Sequence, residues 1–369
     1  MSSGSTVPPS PPKTPTPVFR EYNFELSPVP PNPLLGGRCI KTAAALIIGD
    51  EILNGKTLDR NSNYFARWCF EWGVELKRIE VIADDEAEIA EAAKRLVQNH
   101  DLVITSGGIG PTHDDITYAS LAKAFGQDLA YHDETLRRMD ETSKHRRWVS
   151  QQSEEQKTAR RRMALFPANA EVLFVSSDIF VPVVRLAGKL HVFPGIPSLF
   201  QKMLDNLPQF LPLPPPEERP YRVQVFTPLP ESTIAPILTS LHASLSSPSP
   251  SSQSQSQQHA PIRIGSYPVL QSGVYISLIG SHQDRMVLER VAKELIDTLN
   301  AQWRAQGRDQ CTWREEKDGA NANANANVSG SGRAGDNQKA REEAQGGARL
   351  VSREEMEAKR LESERKSNL

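Results

Sequence analysis

One stretch restricts the fold more than any other. A short apolar run, Asp101-Leu-Val-Ile-Thr105, breaks into Ser106-Gly107-Gly108-Ile109-Gly110-Pro111-Thr112-His113-Asp114-Asp115-Ile116-Thr117, and a helical pattern opens near Asp114. That is a strand, a glycine turn and a helix start. Three glycines in four positions let backbone N–H groups approach an anion closely, because no Cβ intervenes and positive φ costs little. The helix behind them directs the positive end of its dipole at the same place. Two adjacent carboxylates, Asp114 and Asp115, would oppose a bare phosphate there. They fit if a divalent cation with hard oxygen ligands, magnesium or a similar ion, stands between them. The plainer role for either aspartate is a helix cap.

The surrounding pattern is that of an open α/β sheet. Thr42-Ala-Ala-Ala-Leu-Ile-Ile48 is continuously apolar, as a strand covered on both faces must be, and it ends in Gly49-Asp50-Glu51-Ile52-Leu53-Asn54-Gly55. Tyr64, Phe65, Trp68, Cys69 and Trp72 recur at helical spacing before Gly73, and the stripe reads as core packing. A second strand, Val74 to Ile82, leads to Asp84-Asp85-Glu86, and the next helix buries Ile89, Ala93, Leu96 and Val97. The third strand feeds the glycine loop. In such sheets ligands bind beyond the carboxyl ends of the strands. Asp50 with Glu51, Asp84 with Asp85, and the loop with Asp115 all fall on that one rim, which favours a metal-assisted phosphate site. Singly, Asp84 and Asp85 serve equally well as helix caps.

Past Gly126, residues 133–162 read as helical and solvated, with Arg160-Arg161-Arg162 either reaching a phosphate or forming a wet face. Val172 to Val175, Phe180 to Leu186 and Leu190 to Phe193 read as strands. The last ends in Pro194-Gly195-Ile196-Pro197, a turn into a helix from Ser198 to Phe210, where Gly195 serves a backbone approach to ligand or simply the turn. A proline-rich linker then leads to strand Tyr221–Phe226, helix Ser232–Leu245, strands Ile262–Tyr267 and Val274–Ile279, and helix Arg285–Trp303. This β-α-β-β-α order suits a small α+β unit.

The expected domains are a Pro/Ser-rich disordered tail (1–40), the α/β domain (41–211), the small unit (221–305) with a low-complexity insert (246–260), and a charged disordered tail (314–369) that holds at most a transient helix near Glu354 to Lys366. Three separated cysteines, Cys39, Cys69 and Cys311, support neither a disulfide framework nor a zinc site. A net charge of −2 gives no broad electrostatic case for nucleic acid. No targeting pattern or membrane-length apolar run is present, so a cytoplasmic protein is expected.

The three motifs at Gly49–Gly55, Gly107–Asp115 and Phe193–Pro197 together resemble the molybdopterin-binding (MoaB/Mog-like) domain. More narrowly, they resemble the version at the N-terminus of CinA proteins and of animal FAD synthases. The resemblance covers Thr42 to Phe210. The smaller unit also resembles the piece that follows in those proteins, through Ile234-Ala235-Pro236-Ile237-Leu238 and Gly265-Ser266-Tyr267-Pro268. The fold implied is a three-layer, mostly parallel open sheet followed by a smaller α+β subdomain. In the molybdopterin adenylyltransferases, the resemblance implies a loop holding pterin or nucleotide phosphates, with two aspartates working with magnesium; these fall on Asp84 and Asp115. In the FAD-synthase and CinA branches it implies metal-dependent hydrolysis of the pyrophosphate of FAD or ADP-ribose. The Asp114-Asp115 pair and Gly-Ile-Gly-Pro-Thr-His favour the second branch. CinA domains commonly carry Gly-Thr-Ala-Pro-Gly where this chain has Val175-Ser176-Ser177-Asp178-Ile179-Phe180, a departure shared by FAD-synthase relatives.

The expectation is therefore an FAD diphosphatase yielding FMN and AMP with magnesium or cobalt. Asp115, Asp84, Asp50, Glu51 and His113 form the expected catalytic set, Asp115 and Asp84 holding the metal. Ser106, Gly107, Gly108, Ile109, Gly110, Pro111, Thr112, Asp114, Pro194 and Gly195 form the expected substrate contacts. His113 either protonates a leaving phosphate or only hydrogen-bonds. The alternatives are a molybdopterin adenylyltransferase and a non-catalytic flavin- or pterin-binding regulator. Full FAD synthesis and the CinA deamidase activity are not expected, since the residues after Trp303 do not resemble the domains that carry them. Relatives of this kind are often dimers or trimers, and Tyr64, Trp68 and Trp72 could line an interface as readily as a core.

Overall fold

The computed structural model describes residues 22–246, 262–270, 272–306 and 348–352, with residues 355 and 358. The expected low-complexity insert beyond Ser246, most of the charged tail and the first 21 residues lie outside the described residues. Among the described residues two compact units form, one from residues up to Cys69 with Val74–Leu213, the other from Phe70–Gly73 with the residues from Pro214 on.

The first unit is built on a six-stranded sheet in the order β2-β1-β3-β8-β7-β6. Its strands are β1 (Thr42–Ile48), β2 (Glu75–Ile82), β3 (Leu102–Ser106), β6 (Glu171–Leu173), β7 (Val183–Leu186) and β8 (Leu190–Phe193). β1 pairs in parallel with β2 and β3, β3 in parallel with β8, and β7 is antiparallel to both its neighbours. Two short strands, β4 (Leu129–Tyr131) and β5 (Leu165–Pro167), pair with each other apart from this sheet. Neither was expected from sequence, because three residues are too few to display a period.

Continuous apolarity in β1 follows from cover on both sides. Ala44, Leu46 and Ile48 join a core with Ile89, Ala93 and Leu96 of α3 (Glu86–Asn99) and Leu121 of α4 (Thr117–Ala124). Ala43, Ala45 and Ile47 alternate with them, point to the opposite face and are equally buried. On that side lie α2 (Asn61–Glu71), whose Phe65, Trp68 and Cys69 are buried, and α8 (Pro197–Asn206), whose Phe200 packs on Phe193 at 5.3 Å. The result is the expected three-layer α/β arrangement. Tyr64 is not core: its hydroxyl donates to Asp205 at 2.7 Å, and Trp72 is half-buried.

The polar stretch 133–162 forms α5 (Asp133–Ser143), α6 (Arg147–Ser150) and α7 (Glu154–Arg161). Residues 22–40, expected to belong to a disordered tail, run extended along this unit instead. Phe24, Leu34 and Ile40 are buried, the Phe24 and Ser27 amides donate to the carbonyls of Ser177 and Phe174, and the Arg138 guanidinium lies 4.9 Å over the Phe24 ring.

The second unit has a four-stranded antiparallel sheet, β10-β11-β9-β12, from β9 (Pro220–Thr227), β10 (Arg263–Val269), β11 (Gly273–Ser281) and β12 (Arg349–Leu350). Ile234 of α9 (Glu231–Ser246) and Leu288, Val291, Leu295 and Leu299 of α10 (Arg285–Ala305) pack against Val223, Val225, Ile276 and Leu278. This is the α+β unit the element order predicts, with a fourth strand contributed from beyond residue 347.

Candidate functional site

In the first unit the chain leaves β1 for β2 on one side and β3 for β8 on the other, so the loops after β1 and β3 diverge. Such a switch point opens a crevice at the carboxyl ends of the strands. Residues following β1, β2 and β3 are brought together there.

The glycine loop fits against its neighbours so closely that side chains are excluded. Gly107 and Gly108 have φ of 113° and 63°, a region that disfavours any Cβ. A Cβ on Gly107 would stand 2.1 Å from the Ile48 carbonyl oxygen, and one on Gly108 would stand 2.3 Å from Thr117 Oγ1 and 3.3 Å from Asp84 Oδ1. Thr117, at the start of α4, donates its hydroxyl to the Gly107 carbonyl (3.0 Å) and its amide to the Gly108 carbonyl (3.0 Å), which ties the loop to the helix.

Asp84 is the junction of the rim. It accepts the backbone N–H of Asp50, the first residue of α1 (Asp50–Leu53), at 3.1 Å, and its other oxygen faces Gly108. Burial holds its carboxyl above the usual carboxylate range; the Asp50 amide pulls the other way, and the charges of Asp50, Glu51 and Asp114 raise it further. Four acidic residues from three strand ends therefore feel one another. Asp85, next in sequence, turns away and caps α3, accepting from Ala87 N (2.9 Å) and Glu88 N (3.0 Å).

Asp115 has a different placement from a helix cap or an open ligand. Its Oδ1 accepts Gly110 N at 2.6 Å, and its Oδ2 accepts Thr112 N at 2.8 Å and the Thr112 hydroxyl at 2.5 Å. Oδ2 is saturated and Oδ1 keeps one lone pair, so Asp115 primarily shapes the loop. With the Gly110 and Thr112 amides thus engaged, the Gly108, Ile109 and His113 amides have no partner among the described residues, the first two at the glycines of the loop and the third at its tip. Asp114 is held below the usual range by the Thr112 hydroxyl, whose one hydrogen it shares with Asp115, and by its own amide. The α4 N-cap is Ile116, without a side-chain cap, so neither aspartate serves there. His113 is at the loop tip with its side chain 98% exposed, 4.0 Å from Asp114.

The Pro194-Gly195 turn closes the other side: a Cβ on Gly195 would sit 3.3 Å from Gly107 Cα. One feature here was not foreseen. Asn61, at the start of α2, donates from Nδ2 to Ser106 Oγ and to the Gly195 carbonyl, both at 2.8 Å, and so clamps two strand-end loops together. Its sequence signal was only that of a polar helix start. Arg162 donates to the Asp115 carbonyl at 3.4 Å, whereas Arg160 pairs with Asp140 and Arg161 lies over Tyr131. The basic run is thus divided, and one member touches the glycine loop.

Among the described residues no three His, Cys, Asp or Glu side chains stand close enough to form a ligand set unaided. Asp84, with Asp50, Glu51 and Asp114 around it, offers a carboxylate whose repulsions a cation would relieve. Such a site suits an ion that takes one or two carboxylates and completes its shell with substrate phosphates and water. No described helix is long and apolar enough to cross a membrane.

Residues 44–212 match the family model described as "Probable molybdopterin binding domain". A protein of Caenorhabditis elegans named "Probable FAD synthase" is 34% identical over 247 residues, covering 63% of this chain and 44% of its own length. A "CinA-like protein" of Geobacter metallireducens is 36% identical over 167 residues, covering 44% of this chain and 38% of its own. The crystal structure of a CinA protein of unknown function from Thermoplasma acidophilum aligns at 28% identity with a TM-score of 0.40, covering 46% of this chain and 96% of that one. The chain spans less than half the length of the two curated relatives. Residues 44–212 are thus similar to the molybdopterin-binding domain family, and the chain is similar to CinA-like proteins and to proteins named as FAD synthases.

Proposed function

We propose that this domain hydrolyses the diphosphate of a dinucleotide, FAD to FMN and AMP, with the help of a divalent cation. The observation that carries the reading is Asp84, a carboxylate in contact with the β1 end through Asp50 and with the glycine loop through Gly108. The name of the nematode relative supports a flavin substrate.

In this reading the Gly108 and Ile109 amides hold one phosphate, aided by the positive end of α4. Asp84 and Asp50 would hold the cation, with Asp115 fixing the loop that presents the phosphate to it. When bound, the cation would offset the diphosphate charge and acidify the attacking water. Water attacks one phosphorus, the bridging P–O bond breaks, and the departing phosphate leaves with the bond pair. Glu51 would orient the water and accept its proton. Arg162 would offset charge on the departing phosphate. His113 stands outside the mechanism, since its ring projects into solvent.

Adenylylation of molybdopterin is the second reading, favoured by the description of the family. The two are separated by one experiment. The purified protein, incubated with FAD and magnesium or cobalt, is expected to release FMN and AMP in equal amounts. FAD bound but intact would overturn the hydrolase reading in favour of a binding role, and AMP transfer from ATP to molybdopterin would replace it with the second.

A further inference from the structure

Asn61 opens α2, yet its side chain does not cap that helix. Asp59 does so, accepting the amides of Asn61 and Ser62 at 3.0 Å each. Phe65, Trp68 and Cys69 supply the buried face of the helix. The Asn61 carboxamide, on a residue only 5% exposed, is therefore available for another task.

Both hydrogens of its Nδ2 are engaged, one with Ser106 Oγ and one with the Gly195 carbonyl. A carbonyl can only accept, so Gly195 dictates which way the amide is turned. The turned amide leaves Oδ1 buried, with no donor among the described residues. A buried acceptor without a donor is unfavourable, and a residue whose task was stability alone would avoid it. Such a local conflict is expected where placement matters more than stability.

The two groups held by Asn61 flank one peptide. Ser106 ends β3 and precedes Gly107, and its hydroxyl goes on to the Pro194 carbonyl at 3.4 Å. Gly195 passes so near that a Cβ on it would stand 3.3 Å from Gly107 Cα, while the Gly107 amide donates to the Phe193 carbonyl at 3.3 Å. The segment leading into α2 is tied back to the acidic rim as well, through the Thr57 amide on the Glu51 carbonyl at 2.9 Å. One buried amide thus sets the spacing of the β1, β3 and β8 ends around Gly107.

We infer that Asn61 is a positioning residue of the phosphate cradle: by holding Ser106 and Gly195 on either side of Gly107, it fixes the direction in which the Gly108 and Ile109 amides point. It acts from beneath the loop and touches no ligand. The inference rests on the diphosphate reading for the identity of the ligand, and on the hydrogen bonds alone for the geometry.

The test replaces Asn61 in the full chain and follows two readouts between about pH 5 and pH 8: calorimetric binding of ADP with magnesium, and the amide resonances of the ligand-free protein. In Asn61→Asp the introduced carboxyl has one O–H to donate to Gly195 when protonated; ionised, it has none and repels that carbonyl. Burial raises its pKa into the range scanned. Relative to the native chain at each pH, Asn61→Asp is expected to bind ADP nearly as well at pH 5 and about tenfold more weakly at pH 8, ~1.4 kcal/mol for one lost hydrogen bond. The Gly108 and Ile109 resonances of the ligand-free variant are expected to move with the same midpoint. Asn61→Ala, with no donor at any pH, is expected to be about tenfold weaker throughout. A residue that only stabilised the fold would shift Tm and leave the affinity ratio of Asn61→Asp flat with pH. That flat ratio, or Gly108 and Ile109 resonances that do not move, overturns the inference. If the native chain fails to bind ADP while the two resonances still titrate in Asn61→Asp, the positioning role stands and the diphosphate reading falls.

Discussion

Asp84 and Asp85 are neighbours in the chain with unrelated roles. Asp85 caps α3 through two backbone amides, a duty any residue of its type performs before a helix. Asp84 is turned by the same backbone toward Asp50 and Gly108 and is held half-buried among other acids. The sign of the pH effect follows. A carboxyl whose folded pKa is raised makes its ionised form less favourable in the fold than in the unfolded chain, so it costs stability above that pKa and ceases to do so as pH falls through it. Asp84→Asn is therefore expected to raise the Tm of the metal-free protein at pH 7 by about 1–2 °C, for roughly 0.5 kcal/mol. It is expected to lower kcat for FAD by about a hundredfold or more and to abolish the acid limb of the pH–rate profile. Calorimetry and steady-state kinetics on one preparation check both, and a variant with lower Tm and full activity would contradict the assignment.

At the scale of elements, the glycine loop is held by sterics as much as by hydrogen bonds. Gly107→Ala puts a methyl against the Ile48 carbonyl and imposes an unfavourable φ, and is expected to cost about 2–4 kcal/mol in denaturant unfolding with loss of FAD binding. The loop, the strands that feed it and the common rim were legible in sequence, since continuous apolarity in Thr42–Ile48 and glycines after Thr105 are strong local signals. The division of labour within the loop was not. That Asp115 folds back on Gly110 and Thr112 depends on a turn whose hydrogen bonds leave no periodic trace. Asn61 was missed for a related reason: its two partners lie 45 and 134 residues away, and only the folded sheet brings Ser106 and Gly195 to one amide. The segment 22–40 was read as tail because its buried residues, Phe24, Leu34 and Ile40, follow neither a helical nor a strand period.

For the molecule as a whole, that segment matters to the first unit's stability. Phe24 fills a place between Arg138 and the backbone of Ser177, so deletion of residues 1–30 is expected to lower the Tm of this unit by about 4–8 °C, as fits the loss of one buried aromatic worth about 2 kcal/mol. An unchanged Tm on thermal denaturation would show that the strap adds nothing. All residues assigned to the phosphate site belong to the first unit, and the second supplies none of them. The claim on which the account turns is that diphosphate sits where the ends of β1, β2 and β3 meet. Backbone amide NMR of the full chain, titrated with ADP and magnesium, tests it most directly. The account predicts large, saturable shifts at the Gly108 and Ile109 amides and none in β9 or β11. Shifts confined to other residues, with Gly108 and Ile109 unmoved at saturation, would contradict it.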